Sequence, residues 1–333
     1  MTGSEWVTEP DGAPGVAMAR CLRAAIAAPS IHNSQPWLFR PHGEAVDVLA
    51  DRRRGLPAAD PDGRELLISV GAAVANLRVA LAAAGRTPIT RLLPDPPEPD
   101  LAATVQAGPS AEPDPLMRRL AEAIPRRQTN RRPYGSTRVR PAVLAELAGA
   151  AHAEGAALII AGPELRAELL DVLRRAENTL RVRADYRDEL TEWTAADPRR
   201  SDGVPPSAFG VRPELAALPV RDFDPGRAYP RPVEAFEHDP TLAVVFTADD
   251  EPRDWLVAGQ ALERVLLTAT AHGVASAILS QAVEVPELRR LVMAPEPGLV
   301  PQSMIRLGYA GRTRAVPRRP LSDVLVRAAR LQS

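Results

Sequence analysis

"GAAVANLRVALAAAG", Gly71–Gly85, and "GQALERVLLTATAHG", Gly259–Gly273, are two stretches of one length, each running from glycine to glycine with small and apolar residues at matching helical positions. A helix of this composition is apolar nearly all round and belongs in a core. Each copy has a strand-like stretch within reach downstream. The pair reads as one unit present twice, and equally as two buried helices of an alanine-rich chain. A duplicated unit would behave as a fused dimer, so this stretch decides between one large domain and two similar halves.

Around these segments, helical spacing predicts helices over Gly15–Ala28, Arg64–Ala84, Pro141–Ala151, Pro163–Leu180 and Arg253–Ala271. Short apolar runs predict strands at Ala45–Ala50, Ala157–Ala161, Thr241–Ala248, Ala275–Leu279 and Ser303–Ala310. Alternation of the two argues for a mixed α/β or α+β architecture. "PDPPEPD" (Pro94–Asp100) and "GPSAEPDP" (Gly108–Pro115) read as surface loops or a linker between the halves. From Arg181 to Glu237 the chain turns charged and then Gly/Pro-rich, with few apolar periodicities after Trp193; so long a segment reads as a lid, an interface arm or a surface excursion.

The 333 residues are 45% hydrophobic with a formal net charge of −1, enough for a large core and without the basic field that gathers nucleic acid. All 41 Lys/Arg positions are arginine, which excludes Schiff-base lysine chemistry and leaves any phosphate to arginines, hydroxyls and backbone N–H groups. One cysteine, Cys21, cannot form an internal disulfide, in keeping with a reducing cytoplasm. "MTGSEWVTEPDGAPG" lacks the basic and apolar regions of a signal peptide, and no apolar run approaches the roughly 20 residues of a membrane span. The expectation is a cytoplasmic protein with no nucleic-acid or membrane partner.

Conventional catalytic sets are missing. The five histidines (His32, His42, His152, His238, His272) show no HExxH spacing, so no metal site is expected, and His272 reads as structural. There is no GxSxG and, without lysine, no P-loop. Three polar stretches stand out instead. "APSIHNSQPWLFR" crowds Pro29, Ser30, His32, Asn33 and Gln35 between a helix and a strand-like exit, with Trp37 assigned to the core. "PRRQTNRRPYGS" (Pro125–Ser136) gathers arginines around Gln128 and Thr129, and "RTRAVPRRPLSDVL" (Arg312–Leu325) carries Arg318 and Arg319. Guanidinium forks beside a hydroxyl match a phosphate, although such clusters are commonly solvated faces.

Taken together the three stretches resemble the nitroreductase superfamily of FMN flavoproteins, and within it the actinobacterial, dormancy-associated Acg branch of duplicated nitroreductase-like proteins. "RRQTNRRPY" resembles the family's R-x-S-x-R/K segment, with Arg127, Thr129 and Arg131 in the matching places; "APSIHNSQPW" resembles its A-P-S-x-x-N-x-Q-P-W segment; Arg318 and Arg319 resemble its C-terminal basic pair. "DGRELLISVGAAVANLRVALAAAG" and "MIRLGYAG" are Acg-like as well. The order departs from the family: the A-P-S segment lies in the first half and the arginine segment opens the second.

The resemblance implies an α+β fold, a nitroreductase-like mixed sheet flanked by helices, in two fused halves that mimic the nitroreductase homodimer. The expected halves are 1–124 and 125–333, with a lid inserted at 181–237 and Tyr186, Trp193 and Phe209 as its cover residues. Implied cofactor-binding residues are Pro29, Ser30, His32, Asn33, Gln35, Arg127, Gln128, Thr129, Arg131, Arg318 and Arg319. By the same resemblance FMN takes hydride at N5 from NAD(P)H and reduces a nitroaromatic, quinone or related small-molecule acceptor. No side chain is required as acid or base; Arg131 is the candidate cation for the N1/O2 edge. Ser30, Asn33 and Gln35, on rigid elements beside apolar walls, suit a flat ring edged with polar atoms. The rival reading is a lidded protein that sequesters FMN with little turnover; a module that has lost flavin is a third. A fused pseudo-dimer is expected as a monomer or a homodimer.

Overall fold

In the computed structural model, which describes residues 5–8, 14–194, 197, 199–214, 218–224 and 229–326, helix α1 (Val16–Ala25) comes first. It buries Ala17, Met18, Cys21, Leu22 and Ala25 along one helical face. A loop containing one 3-10 turn (Ile31–Asn33) leads to the hairpin β1 (Trp37–His42) and β2 (Ala45–Ala50), with Trp37 and Phe39 buried. Helix α2 (Arg64–Ala83), β3 (Arg86–Leu92) and β4 (Leu101–Ser110) complete an antiparallel sheet of order β1-β2-β4-β3. Helix α3 (Pro115–Ala123) has Pro at its first turn and a cap from Asp114, whose carboxylate accepts from the Leu116 N–H at 2.8 Å.

The second half contains α4 (Pro141–His152) and β5 (Ala157–Ile160), then a long intervening stretch with α5 (Pro163–Val182), α6 (Ala184–Trp193) and the two-residue strands β6 (Arg212–Pro213) and β7 (Val233–Glu234). It continues through β8 (Thr241–Thr247), α7 (Pro252–Ala271), β9 (Ala275–Ile278), the short helices α8 (Gln281–Glu284) and α9 (Pro286–Arg289), and β10 (Val300–Gly308). The sheet order is β5-β8-β10-β9, again antiparallel. Apart from the stretch between β5 and β8, both halves follow one plan: hairpin, long helix, two further strands, the last of them inside the sheet. Helix α10 (Leu321–Val324) returns to the first half, where the Val326 N–H donates to the Phe39 carbonyl at 2.8 Å.

α2 and α7 cross at the glycines that open the two quoted stretches. A Cβ on Gly71 would stand 2.3 Å from the Leu256 carbonyl oxygen, and one on Gly259 would stand 2.0 Å from that of Ile68. Each contact is the other's mirror, because Leu256 and Ile68 are separated by the same 188 positions as Gly259 and Gly71. Reciprocal contact of this kind defines a two-fold axis. The closing glycines obey the same offset: Gly85 and Gly273 adopt left-handed φ of 79° and 71° just past the helix ends.

Several sequence expectations change. The mixed sheet is realised as two antiparallel sheets, each with one parallel bridge on an edge strand: Phe39 with Leu325 on β1, and Thr129 with Ser276 on β9. α2 is long and apolar enough to cross a membrane by length and composition, contrary to the expectation, but it is buried inside the protein. β3, β4, α3 and α6 were not anticipated; β4 occupies Gly108–Ser110 of the expected loop. The stretch expected as a lid at 181–237 belongs to a larger insertion, 161–240, and residues 195, 196, 198, 215–217 and 225–228 of it lie outside the described residues, as do 1–4, 9–13 and 327–333 of the expected halves. Much of it is packed: Leu169, Leu173, Leu180, Tyr186, Leu190, Trp193, Phe209 and Phe223 share a buried cluster with Phe246 of β8.

Candidate functional site

The A-P-S loop is held in a conformation that most side chains avoid. His32, Asn33 and Gln35 have φ of 46°, 55° and 51°, each costing on the order of 1–3 kcal/mol. The surroundings fix them. Ser30 Oγ accepts from the Gln35 N–H at 2.9 Å, and Ser69 Oγ of α2 accepts from the Ile31 N–H at 3.2 Å. Asn33 Nδ2 donates to the carbonyls of Gly203 (2.9 Å) and Pro317 (3.2 Å), so the insertion and the C-terminal segment both close on this loop.

Beside it opens a cavity containing about 1150 Å³ free of protein atoms, counting its mouth. Pro29, Ser30, His32, Asn33, Arg127, Gln128, Thr129, Arg131 and Arg318 line it, so segments about 100 and 285 residues apart in sequence meet on one surface. The other two expected residues do not line it. Gln35 is buried against protein: its Nε2 donates to the Ser201 carbonyl (2.8 Å) and its Oε1 accepts from the Arg319 N–H (2.8 Å). The Arg319 guanidinium donates to the carbonyls of Gln35 (3.3 Å) and Asp323 (2.7 Å). These two residues tie the C-terminal segment to the loop.

Two centres of positive charge face the cavity. At the first, Arg127 Nη2 and Arg318 Nη2 both donate to the Ala27 carbonyl at 3.3 Å, and Arg318 Nη1 reaches Asn33 Oδ1 at 3.0 Å. Burial, then Arg127, pushes the Arg318 guanidinium down to about 9. The nearby carboxylate is Glu263 of α7, 3.5 Å from Arg127 Nε; burial pushes it up to about 7 against the pull of Arg127. Arg318 Nε and Arg127 Nε are buried without hydrogen-bond partners. Two guanidiniums thus face one carboxyl whose own charge burial disfavours, leaving the positive charge incompletely balanced.

At the second centre, Arg131 was expected from the sequence and Arg221 was not. Arg221 of the insertion donates from Nη1 to His32 Nε2 (2.6 Å) and to the Tyr186 hydroxyl, and from Nη2 to Glu284 (2.5 Å) and Ser280 Oγ (3.2 Å). Burial opposes its charge, but Glu284 and Tyr186 hold it above the ordinary arginine range. Arg131 stacks on Phe223, its guanidinium carbon 4.6 Å from the ring centroid, and donates to the Ala208 carbonyl at 2.9 Å. Burial, then Arg221, pushes Arg131 down to about 10.

Apolar walls come from both halves and the insertion, including Ile68, Ala72, Leu262, Leu279, Phe209 and Phe223. Of the expected cover residues, Phe209 lines the cavity, Tyr186 lies behind Arg221, and Trp193 packs against Arg54 and Arg200. Glu65 and Ser69 of α2 and Arg306 of β10 also face the cavity and were missed. The signal for α2 was present: Glu65, Ile68, Ser69 and Ala72 share one helical face, and two polar residues on it are out of place in an apolar core helix. Among the described residues, no group of three His, Cys, Asp or Glu is arranged to hold a metal ion.

Fold and site define a two-fold-repeated α+β protein with a cation-rich cavity lined by both halves. Two Mycobacterium tuberculosis (strain ATCC 25618 / H37Rv) proteins, "Putative NAD(P)H nitroreductase acg" and "Putative NAD(P)H nitroreductase Rv3131", are each 33% identical to the chain, over 311 and 319 residues; 91% of this chain is covered in both, with 93% and 89% of the relatives. The chain therefore belongs to the Acg-like nitroreductases. No protein-family model matches it. Among solved structures, the FMN and NADPH-dependent nitroreductase NfnB from sphigopyxis sp. strain HMH aligns with 62% of this chain and 96% of its own, at 16% identity and TM-score 0.38. A Bacteroides fragilis NCTC 9343 nitroreductase with bound FMN aligns with 60% and 93%, at 18% and 0.35.

Proposed function

We propose that this protein is an FMN-dependent, NAD(P)H-oxidising oxidoreductase of the nitroreductase type, acting on a small-molecule acceptor such as a nitroaromatic or a quinone. The observation that carries the reading is the convergence of Arg127 and Arg318 on the Ala27 carbonyl at the cavity wall, with one carboxyl, Glu263, near two guanidiniums. Buried cations in that state call for an anion, and a phosphate accepts from guanidinium forks on several oxygens. The cavity beside them has the apolar walls a flavin ring needs. We read the repeated topology and its two-fold crossing as a fused counterpart of a homodimer, with the A-P-S loop from one half and the arginine segment from the other.

Bound FMN supplies hydride acceptance and delivery. The chain's own task is to hold and shield. Arg127, Thr129 and Arg318 would hold the phosphate, with Asn33 bracing Arg318 through its Oδ1; Ser30 would orient the ring edge; Ile68, Leu262 and Phe209 would exclude water. His32 stays neutral, since burial, Arg221 and Arg131 hold it well below its ordinary range, so it supplies hydrogen bonds rather than charge.

A second reading, flavin storage, is favoured by one observation: Val204, Phe209, Val220 and Phe223 of the insertion line the cavity. Anaerobic titration of the flavin-loaded protein with NADPH and NADH separates the two. Bleaching of the flavin spectrum within seconds supports the oxidoreductase. A flavin that stays oxidised until Phe209 and Phe223 are replaced by alanine supports storage, and a protein that takes up no FMN refutes both.

A further inference from the structure

Two-electron reduction of a quinone forms two O–H bonds, one from a hydride and one from a proton. The reading above accounts for the hydride and leaves the proton without a source. It also leaves one carboxyl of the cavity wall unused. Glu65 stands in the first turn of α2, and Glu65, Ile68, Ser69 and Ala72, at i, i+3, i+4 and i+7, all line the cavity. Positions at that spacing share one helical face, so the backbone directs the Glu65 side chain to the cavity wall. Asp60 fixes this turn, its carboxylate accepting from the Glu65 N–H at 3.0 Å and the Leu66 N–H at 2.8 Å. The Glu65 side chain keeps 8% of its surface accessible. Arg64 Nη2 donates to Oε1, and Oε2 has no hydrogen-bond partner among the described residues.

The surroundings set the strength of this acid. Burial raises the Glu65 carboxyl to about 7; Arg64 opposes the rise, and the charges of Asp60 and Glu284 add to it. Arg64 divides its donors between Glu65 and the carbonyls of Gln302 (2.6 Å) and Val283 (3.1 Å). Arg221, the other guanidinium of this wall, is committed to Glu284 at 2.5 Å, to His32, which is held neutral, and to Tyr186. A carboxyl so placed keeps its proton close to neutral pH, yet it is a stronger acid than a phenol, which titrates at about 10. Transfer of its proton to a newly formed phenolate oxygen is downhill.

We propose that Glu65 is the proton donor for acceptor reduction, passing the proton of its carboxylic acid to an oxygen of a quinone-type acceptor that receives the hydride. The Glu65 O–H bond breaks, its electron pair stays on the carboxylate, and an O–H bond forms on the acceptor. The hydride supplies the other hydrogen and both electrons, NAD(P)H is oxidised, and solvent returns the proton to Glu65. The proposal rests on the oxidoreductase reading and adds an acid to a reaction otherwise left to the cofactor.

The test photoreduces the flavin-loaded protein without oxygen and follows its reoxidation by 1,4-benzoquinone and by ferricyanide, in stopped flow, from pH 5.5 to 9. Ferricyanide takes electrons and no proton, so the quinone-to-ferricyanide rate ratio reports proton delivery. In the wild type this ratio should be level below pH 7 and fall about tenfold per pH unit above it. In Glu65→Gln it should be level throughout and at least about tenfold lower at pH 6; Glu65→Asp should restore the alkaline fall. Infrared spectra of the oxidised protein give a readout free of turnover: the difference between wild type and Glu65→Gln should contain a protonated-carboxyl band at pH 6 that is lost as pH rises through 7. A wild-type ratio without an alkaline fall, a fall that survives in Glu65→Gln, or absence of the infrared band overturns the donor role. A protein that takes up no FMN refutes the oxidoreductase reading, whereas a loaded protein that fails these tests refutes the donor alone.

Discussion

If Arg127 and Arg318 hold the FMN phosphate as proposed, Glu263 should set the pH dependence of flavin binding. Its carboxyl, at about 7, is 3.5 Å from Arg127 and competes with any phosphate brought to Arg127 and Arg318. Two outcomes are open when FMN binds above pH 7: Glu263 stays ionised beside the phosphate, or takes up a proton. For charges about 6 Å apart at an effective dielectric constant of about 20, the first costs about 3 kcal/mol per phosphate charge. At pH 8 the second costs about 1.4 kcal/mol, the price of protonating a group one unit above its midpoint. Protonation wins, so one proton enters with each FMN, and affinity should fall about tenfold per pH unit above 7. Below pH 6 affinity should also fall, because the phosphate loses its second charge near a pKa of about 6. The optimum then lies between pH 6 and 7. Calorimetric FMN titrations from pH 5.5 to 9, in buffers of different ionisation enthalpy, give both the slope and the proton count. Glu263→Gln should flatten the alkaline limb and leave the acid limb. A wild type without an alkaline slope, or a Gln variant that keeps one, refutes the reasoning.

The Arg127→Ala, Arg318→Ala double variant should purify with under a tenth of the flavin of the wild type, read from the visible absorbance per polypeptide; a full complement would dismiss the phosphate assignment. Gly259→Ala places a methyl 2.0 Å from the backbone oxygen of Ile68, and should lower stability by at least about 3 kcal/mol in urea titrations. Gly149→Ala, exposed on α4 with nothing within 4 Å, should instead be neutral or stabilising by up to about 1 kcal/mol. Glu65 is raised from 4.5 to about 7, by burial first, with Arg64 opposing. In the range between these values the folded state binds the proton that the unfolded state has released, so stability is greatest below pH 4.5 as far as this group is concerned. It declines by about 3 kcal/mol as pH rises to 7. Urea midpoints for Glu65→Gln should show a correspondingly smaller loss between pH 5 and 8 than the wild type, and an unchanged loss would count against the buried, raised carboxyl.

What the sequence disclosed follows from how each signal is encoded. The α2 and α7 cores were legible because helical periodicity and glycine punctuation are local, and the glycines proved to be a crossing point as well as boundaries. β3 was not legible: "RTPITRL" carries Pro88 and two arginines, and only as an outer strand with one face in water does it tolerate them. β4 is alanine-rich and ends in Gly-Pro-Ser, which reads as a loop until its neighbours supply the hydrogen bonds. Pro29, Ser30, Asn33, Arg127, Thr129 and Arg318 were found by motif, because those side chains stand in short runs of unusual polarity. Gln35 and Arg319 came with the same motifs but face protein, a distinction of direction that spacing does not carry. Arg221 was hidden for a third reason. It lies in a Pro-rich insertion with no period, and its importance exists only once His32, Tyr186 and Glu284 are brought around it from three other parts of the chain.

The 161–240 segment breaks the two-fold plan at one place only among the described residues, between β5 and β8. In the first half the hairpin β1–β2 turns over Gly43 and Glu44; in the second, the equivalent strands β5 and β8 are joined by residues 161–240. In a homodimer an insertion at this point would appear twice, and both symmetry-related cavities would receive it. Here the halves have diverged in complementary ways. Between α4 and β5 only residues 153–156 stand where the first half carries its polar loop, and Glu154 in that turn is consumed by ion pairs with Arg78 and, at 2.8 Å, Arg264. The first half supplies the loop and the second supplies the arginines, so one cavity receives both, together with the cover. One asymmetric cavity, lined by both halves and by the 161–240 segment, thus sits on a two-fold scaffold whose central crossing depends on the symmetry of Gly71 and Gly259.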